Sequence, residues 1–319
     1  MSSIAPSAEP KPAVRPPLLS KQLRNDLRAY AFLSPWIFSL LVFTAYPTLA
    51  SFYFAMTKYD VLNPPRFIGL ENFITMFTRD PLYWVAVWNT FFYTILAVPL
   101  SLLVALILAL LLNQRATGIG IYRTIFYLPA VVPAVAAVPL WVILLDPRSG
   151  LVNTVLGSVG LPEPGWLKSA DWSKPGLILM SLWAGTGSAM LIFLAGLKDV
   201  PQQLLEAATI DGANGWQRFR HVTLPLITPT IYFNLIIGLI ASFQIFGPAF
   251  FASSIGRWGL GPLNSLLMYM LHLYRSAFRH FDMGYASAMA LVLFIVLVAL
   301  TLLLVRTSRY WVYYEGDQR

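Results

Sequence analysis

LLVALILALLLN, residues 102–113, is apolar on every side of a helix until Asn113 closes it. A strand of a membrane barrel would alternate polar and apolar positions over about ten residues, and this stretch does not. It is the end of a charge-free window, 85–113, and five similar windows occur at 29–57, 125–145, 177–196, 229–251 and 284–305. A bilayer core about 30 Å thick needs roughly 20 mostly apolar helical residues, so each window is long enough to cross it. The reading is an all-α polytopic membrane protein with six transmembrane helices. Composition agrees: 57% of the 319 residues are hydrophobic and 11% charged, against about 25% charged in ordinary soluble domains.

Outside the windows lie all 22 Lys and Arg and all 14 Asp and Glu. Residues 1–28, rich in proline and ending in the basic KQLRNDLR, read as a disordered cytoplasmic tail. A signal peptide also begins with a basic segment, but the apolar stretch that follows is too long for a signal core, which favours an uncleaved first helix. The expected organisation is therefore this tail, a six-helix membrane domain over 29–306 and a C-terminal tail over 307–319. Placing the N-terminus inside gives the inner segments 13 Lys and Arg and the outer segments 9, which orients both termini to the cytoplasm. Tyr310, Trp311, Tyr313 and Tyr314 fit the headgroup level at the last helix end.

The windows carry no Asp, Glu, Lys or His, the groups that ion-coupled transporters keep within their spans. His221, His272 and His280 fall in loops. No ligand-spaced His/Asp/Glu cluster implies a metal site, and the chain has no cysteine. The one Lys followed by Ser or Thr, Lys168, is preceded by Leu167 where a P-loop needs Gly, so ATP is not bound in that way. The pI near 9.7 reflects basic loops rather than nucleic-acid binding.

The most informative loop is LKDVPQQLLEAATIDGANGWQRFRHVTLPLIT, 197–228. Pro201 suits a first helical turn, and Leu204, Ala207 and Ala208 define one apolar face of a short helix. Asp211 and Gly212 end it. A second short helix, about Trp216 to Val222, exposes Trp216, Phe219 and Arg220 and stops before Pro225. Two readings stand: an amphipathic hairpin lying on lipid, or a knob that docks into a soluble partner with Glu206 and Arg218 at its rim.

EAATIDGANGWQRFRHVTLPLITPT, from Glu206 to Thr230, resembles the EAA motif of the permease subunits of binding-protein-dependent ABC importers. Its extended form is similar to the carbohydrate branch, with maltose-type and glycerol-3-phosphate-type permeases. FIGLENF (67–73) and AFRHFDMGYASAMALVLF (277–294) are similar to that branch too. The resemblance implies that 200–225 forms coupling helices seated on an ATPase subunit, with Glu206, Ala207, Ala208, Asp211, Gly212, Arg218, Leu224 and Pro225 at the coupling surface. It implies as partners a second permease subunit, a different chain as is common in this branch, two ABC ATPase subunits and an extracytoplasmic solute-binding protein. ATP and Mg would be used by the ATPase, with no cofactor on this chain. Alternating access would follow, the helices on either side of the loop rocking as the ATPases close.

A sugar path is then expected among polar side chains of two windows: Ser181, Trp183, Gly185, Thr186 and Ser188 in 177–196, and Asn234, Ser242 and Gln244 in 229–251. Hydroxyls and amides can bond sugar hydroxyls, and an aromatic ring can stack a sugar face. The same small residues also serve helix packing. By the resemblance, Ser181, Gly185, Ser188 and Ser242 fall closest to the sugar-contacting places of the maltose-type permease. The chain departs from its relatives at Gly247-Pro248, where many carry an Asp, and in SSIGRWGLGPLNS (253–265), where only Gly261-Pro262 matches their loop. The cargo therefore stays open between a sugar and glycerol 3-phosphate or a polyol. The contrasting class is a self-contained facilitator or membrane enzyme. Pro129, Pro133 and Pro139 are expected to bend the third span.

Overall fold

The computed structural model describes residues 21–114, 116–253 and 260–313. The chain divides into two compact units, residues 1–51 and 52–319. In the first, α1 (Lys21–Ser39) passes through a π-helical turn, Leu40–Ala45, into α2 (Tyr46–Ala55), whose last residues belong to the second unit. The helix Asn25–Ala55 has 31 residues and is apolar enough to cross a membrane. KQLRNDLR is thus already helical and is not part of a disordered tail; residues 1–20 lie outside the described residues.

The second unit opens with a two-residue antiparallel pair, β1 (Thr57–Lys58) and β2 (Arg66–Phe67), Thr57 opposite Phe67. α3 (Glu71–Ile74) and a π turn, Thr75–Arg79, lead to α4 (Pro81–Leu112). Asp80 caps α4, its Oδ1 accepting from the Leu82 N–H at 2.8 Å, with Pro81 in the first turn where its missing N–H costs nothing. The FIGLENF segment closes back on the chain: Asn72 Nδ2 donates to the carbonyls of Ala55 and Thr57 at 2.9 Å each.

The third predicted span is not one helix. α5 (Ile119–Val131) and α6 (Ala134–Leu144) meet at 100°. Of the three prolines, Pro133 makes the break: Val132 before it is extended, as the proline ring requires, and Pro133 itself is extended. Pro129 and Pro139 lie within helices. α7 (Leu151–Ser158) and α8 (Ala170–Lys198) follow, the latter capped by Ser169.

The 197–228 loop forms α9 (Gln202–Ile210), α10 (Gly215–Arg218), a π turn Phe219–Thr223 and α11 (Leu224–Leu226), then α12 (Thr228–Phe243). The second short helix therefore does not stop before Pro225. Proline lacks the N–H that would bond four residues back, and the widened π turn just ahead of it accommodates the loss. The same device precedes Pro47, whereas the π turn Thr75–Arg79 ends at the extended Asp80 and Pro81 begins a new helix. α13 (Gly247–Ser253), α14 (Tyr269–Phe278) and α15 (Met283–Trp311) complete the chain, α12 and α13 being separated by the non-helical link 244–246. α15 runs past 306 to Trp311, so the C-terminal tail begins later than expected; residues 314–319 lie outside the described residues.

Among the described residues, five helices are long and apolar enough to span a membrane, or six with α5 and α6 as one bent span. α15 meets the β1 strand through Gly284: a Cβ there would stand 2.0 Å from the Thr57 carbonyl oxygen, so only glycine fits. At the opposite end, Ala105 and Ala109 of α4 are fully buried among Met190, Phe193, Leu194 and Ile227. Small residues four apart let membrane helices approach closely.

Candidate functional site

Two features stand out on α8 and α12: a cavity between their middles and a knob on the loop that joins them.

The knob is built by its own capping. α9 ends in a Schellman turn, with Gly212 at φ +81°, its N–H donating to Thr209 O at 3.1 Å and the Ala213 N–H to Ala208 O at 2.9 Å. α10 begins with a capping box: the Gln217 N–H donates to Asn214 Oδ1 at 2.9 Å and the Asn214 N–H to Gln217 Oε1 at 2.8 Å. Arg218 Nη1 donates to Thr209 Oγ1 at 2.8 Å and joins the two short helices. Asn214, Gln217 and Thr209 were not singled out in sequence, although Asn-x-x-Gln is legible capping-box spacing.

The inward face of α9 differs from the expected one. Leu205 packs on the cluster around Ala109 and Phe193, and Ala208 is half-buried, while Leu204 and Ala207 are exposed. Helical spacing allowed either face, and the leucine one residue later turns inward. Glu206 is exposed and accepts from Gln202 Nε2 at 3.2 Å; Asp211 is exposed as the helix C-cap. Trp216 is 65% exposed and Ile210 86%, whereas Phe219, expected to be exposed, is half-buried beneath Trp216. Leu224 packs on the same cluster and Pro225 is exposed. Glu206 and Arg218 border one cleft with Asn113 at the end of α4.

The cavity holds about 500 Å³. Ser181, Gly185 and Ser188 line it from α8, and Asn234, Ser242 and Gln244 from α12 and its end. Two predicted residues do not. Trp183 points toward α6, its ring 5.8 Å from Trp141 in an edge-on contact, and buried Thr186 turns back to donate to Leu182 O at 2.5 Å. Trp183 stands two residues from Ser181 and Thr186 two from Ser188, about 200° around the helix in each case. α4 supplies wall residues that sequence reading passed over, Tyr93, Ala97 and Ser101, whose spacing of four on one helix face was the available signal.

A third polar node lies at the start of α4. Asp80 Oδ2 accepts from the Tyr285 hydroxyl at 2.6 Å and from His272 Nε2 at 2.8 Å. His272 is therefore not a loop residue but part of α14. Burial pushes its imidazole below the usual value, with Asp80 pulling the other way. Burial works to raise the Asp80 carboxyl, but the hydrogen bonds from Tyr285 and His272 outweigh it and hold it below the usual carboxylate value.

A bundle of long apolar helices with a capped two-helix knob between two of them is the build of an importer's membrane subunit. The chain belongs to the family described as binding-protein-dependent transport system inner membrane component, whose model matches residues 97–309. It is 44% identical over 301 residues, covering 94% of this chain and 96% of the relative, to the "Probable ABC transporter permease protein YesP" of Bacillus subtilis (strain 168). It is 32% identical to the lactose transport system permease protein LacF of Rhizobium radiobacter, covering 87% and 93%. Among solved structures it resembles a chain of a bacterial ABC transporter involved in the import of the acidic polysaccharide alginate, with TM-score 0.78 and 26% identity over 91% of this chain and 97% of that one.

Proposed function

We propose that this chain is the membrane-spanning subunit of an ATP-driven sugar importer, working by alternating access in the cytoplasmic membrane of a bacterium or archaeon. The observation that carries the reading is the sharing of α8 and α12 between the knob and the hydroxyl- and amide-lined cavity. A knob gripped and moved by a partner displaces helices that form the walls around the cargo. The relatives named for lactose and alginate import support a saccharide as that cargo.

Energy comes from two separate ATPase subunits that bind ATP and Mg, seated on Glu206, Ala207, Ala208, Asp211, Gly212, Arg218, Leu224 and Pro225. This chain binds no cofactor itself. A second permease subunit, a different chain, completes the pore, and an extracytoplasmic solute-binding protein delivers the sugar. Both termini face the cytoplasm.

The full chain, tagged and purified from its native membrane with its accompanying subunits, is reconstituted into proteoliposomes. Labelled lactose, maltotriose, a uronic trisaccharide and glycerol 3-phosphate are then offered with the solute-binding protein, with and without ATP. ATP-dependent entry of a saccharide is the expected result. Entry of glycerol 3-phosphate alone would change the cargo, and flux through the chain by itself without ATP would replace the importer with a facilitator.

A further inference from the structure

A string of aromatic rings connects the cavity wall to the protein surface. Phe246 lines the cavity. Its ring centre lies 5.0 Å from that of Tyr274 on α14, and Tyr274 lies 5.1 Å from Phe278 at the end of the same helix. Phe250 flanks the string, 5.3 Å from Phe246 and 5.6 Å from Tyr274. Phe278 is 57% exposed.

The surface end is not in the hydrocarbon. α14 has ten residues, about 15 Å of helix, half of what a bilayer core requires. Exposed Arg279 and His280 follow Phe278 directly, and polar side chains of this kind lie at headgroup level or in water. The aromatic string packs on the core through Phe246 and Phe250, yet opens to the cavity at one end and to the surface at the other.

We propose that Phe246, Tyr274 and Phe278 form an entry track for a saccharide, each ring stacking one sugar face as the chain of hexoses passes from the surface into the cavity. The proposal rests on the sugar reading above. A pyranose presents a face of C–H bonds that rests on the negative face of an aromatic ring, leaving its hydroxyls hydrated. Such stacking is weak and indifferent to most hydroxyl configurations, which suits a path better than a fixed site. The Tyr274 hydroxyl adds one directed hydrogen bond midway.

The assembled importer in native membranes is irradiated with diazirine-bearing malto-, galacto- and uronic trisaccharides as a set, and the adducts are mapped by mass spectrometry. Adducts are expected in 269–278 as well as in 228–253, both suppressed by excess unmodified trisaccharide. Tyr274→Leu and Phe278→Leu keep bulk but lose the π face, and each should lower the 269–278 adducts at least fivefold. Tyr274→Phe and Phe278→Trp should retain them, which separates loss of stacking from loss of folding. Adducts confined to 228–253, or adducts in 269–278 that sugar does not suppress, overturn the track and leave the sugar reading standing. Suppressible adducts in neither segment remove both.

Discussion

The Tyr285 hydroxyl donates to Asp80 Oδ2 at 2.6 Å, joining the first turn of α15 to the cap of α4. Hydrogen bonds to a charged acceptor contribute about 1.5–3 kcal/mol. Tyr285→Phe deletes the donor and keeps the ring, so thermal unfolding of the detergent-solubilised chain should show a loss of about 2 kcal/mol. An unchanged midpoint would mean that the bond does not hold these helices.

The same node sets a pH dependence. The folded His272 imidazole lies below 6.5 and the folded Asp80 carboxyl below 3.8. For both groups the unfolded chain binds more protons as pH falls, so stability present above those values is lost on acidification. The decline should begin below pH 6.5 through His272 and continue below 3.8 through Asp80. Melting curves between pH 7.5 and pH 5 check the first part. His272→Gln should flatten it, and a slope that persists in that variant assigns it elsewhere.

Gly212 occupies a left-handed conformation at φ +81°, where a Cβ meets open space but the backbone is strained. A β-branched residue there costs about 1–2 kcal/mol. Glu206→Ala with Gly212→Val should abolish ATP-dependent uptake and loosen ATPase association while membrane insertion survives. Normal uptake by the double variant removes the coupling assignment.

The Asn214–Gln217 capping box tests whether the shape of the knob matters or only its surface. Asn214→Ala removes an N-cap worth about 1 kcal/mol. Amide exchange across 215–218 should quicken and uptake should fall severalfold, with Asn214→Ser restoring both. Unaltered exchange would show that the cap does not order this turn.

Gly185 lines the cavity, and a Cβ built on it meets nothing within 4 Å. Gly185→Leu therefore fills the path without disturbing packing. Uptake should drop at least tenfold while ATPase copurification and melting temperature stay at wild-type levels. A fully active Gly185→Leu importer would place the cargo elsewhere.

The spans were legible because a low-dielectric solvent excludes charge over lengths fixed by its thickness, and the knob because Pro201, Asp211 and Gly212 mark the bounds of its first helix. The break at Val132–Pro133 was less legible, since Pro129 and Pro139 look alike in sequence yet remain within helices. Proline also misled at Pro225, where a π turn keeps the helix going. Trp183 and Thr186 had suitable chemistry, but their helical faces turn them away from the cavity, while Tyr93 and Ser101 entered from α4, a helix far from the knob in sequence.

The passage through Pro225 has one further consequence. From Gly215 to Phe243 the chain is helical with a single turn residue at Ile227, roughly 40 Å from knob to cavity at 1.5 Å per residue. With the knob seated on an ATPase as proposed above, a wall and a handle on one shaft would obey reciprocity of binding. On the proposed coupling, an occupied cavity therefore changes ATP affinity at the partner's nucleotide site by the same factor that ATP changes sugar affinity here.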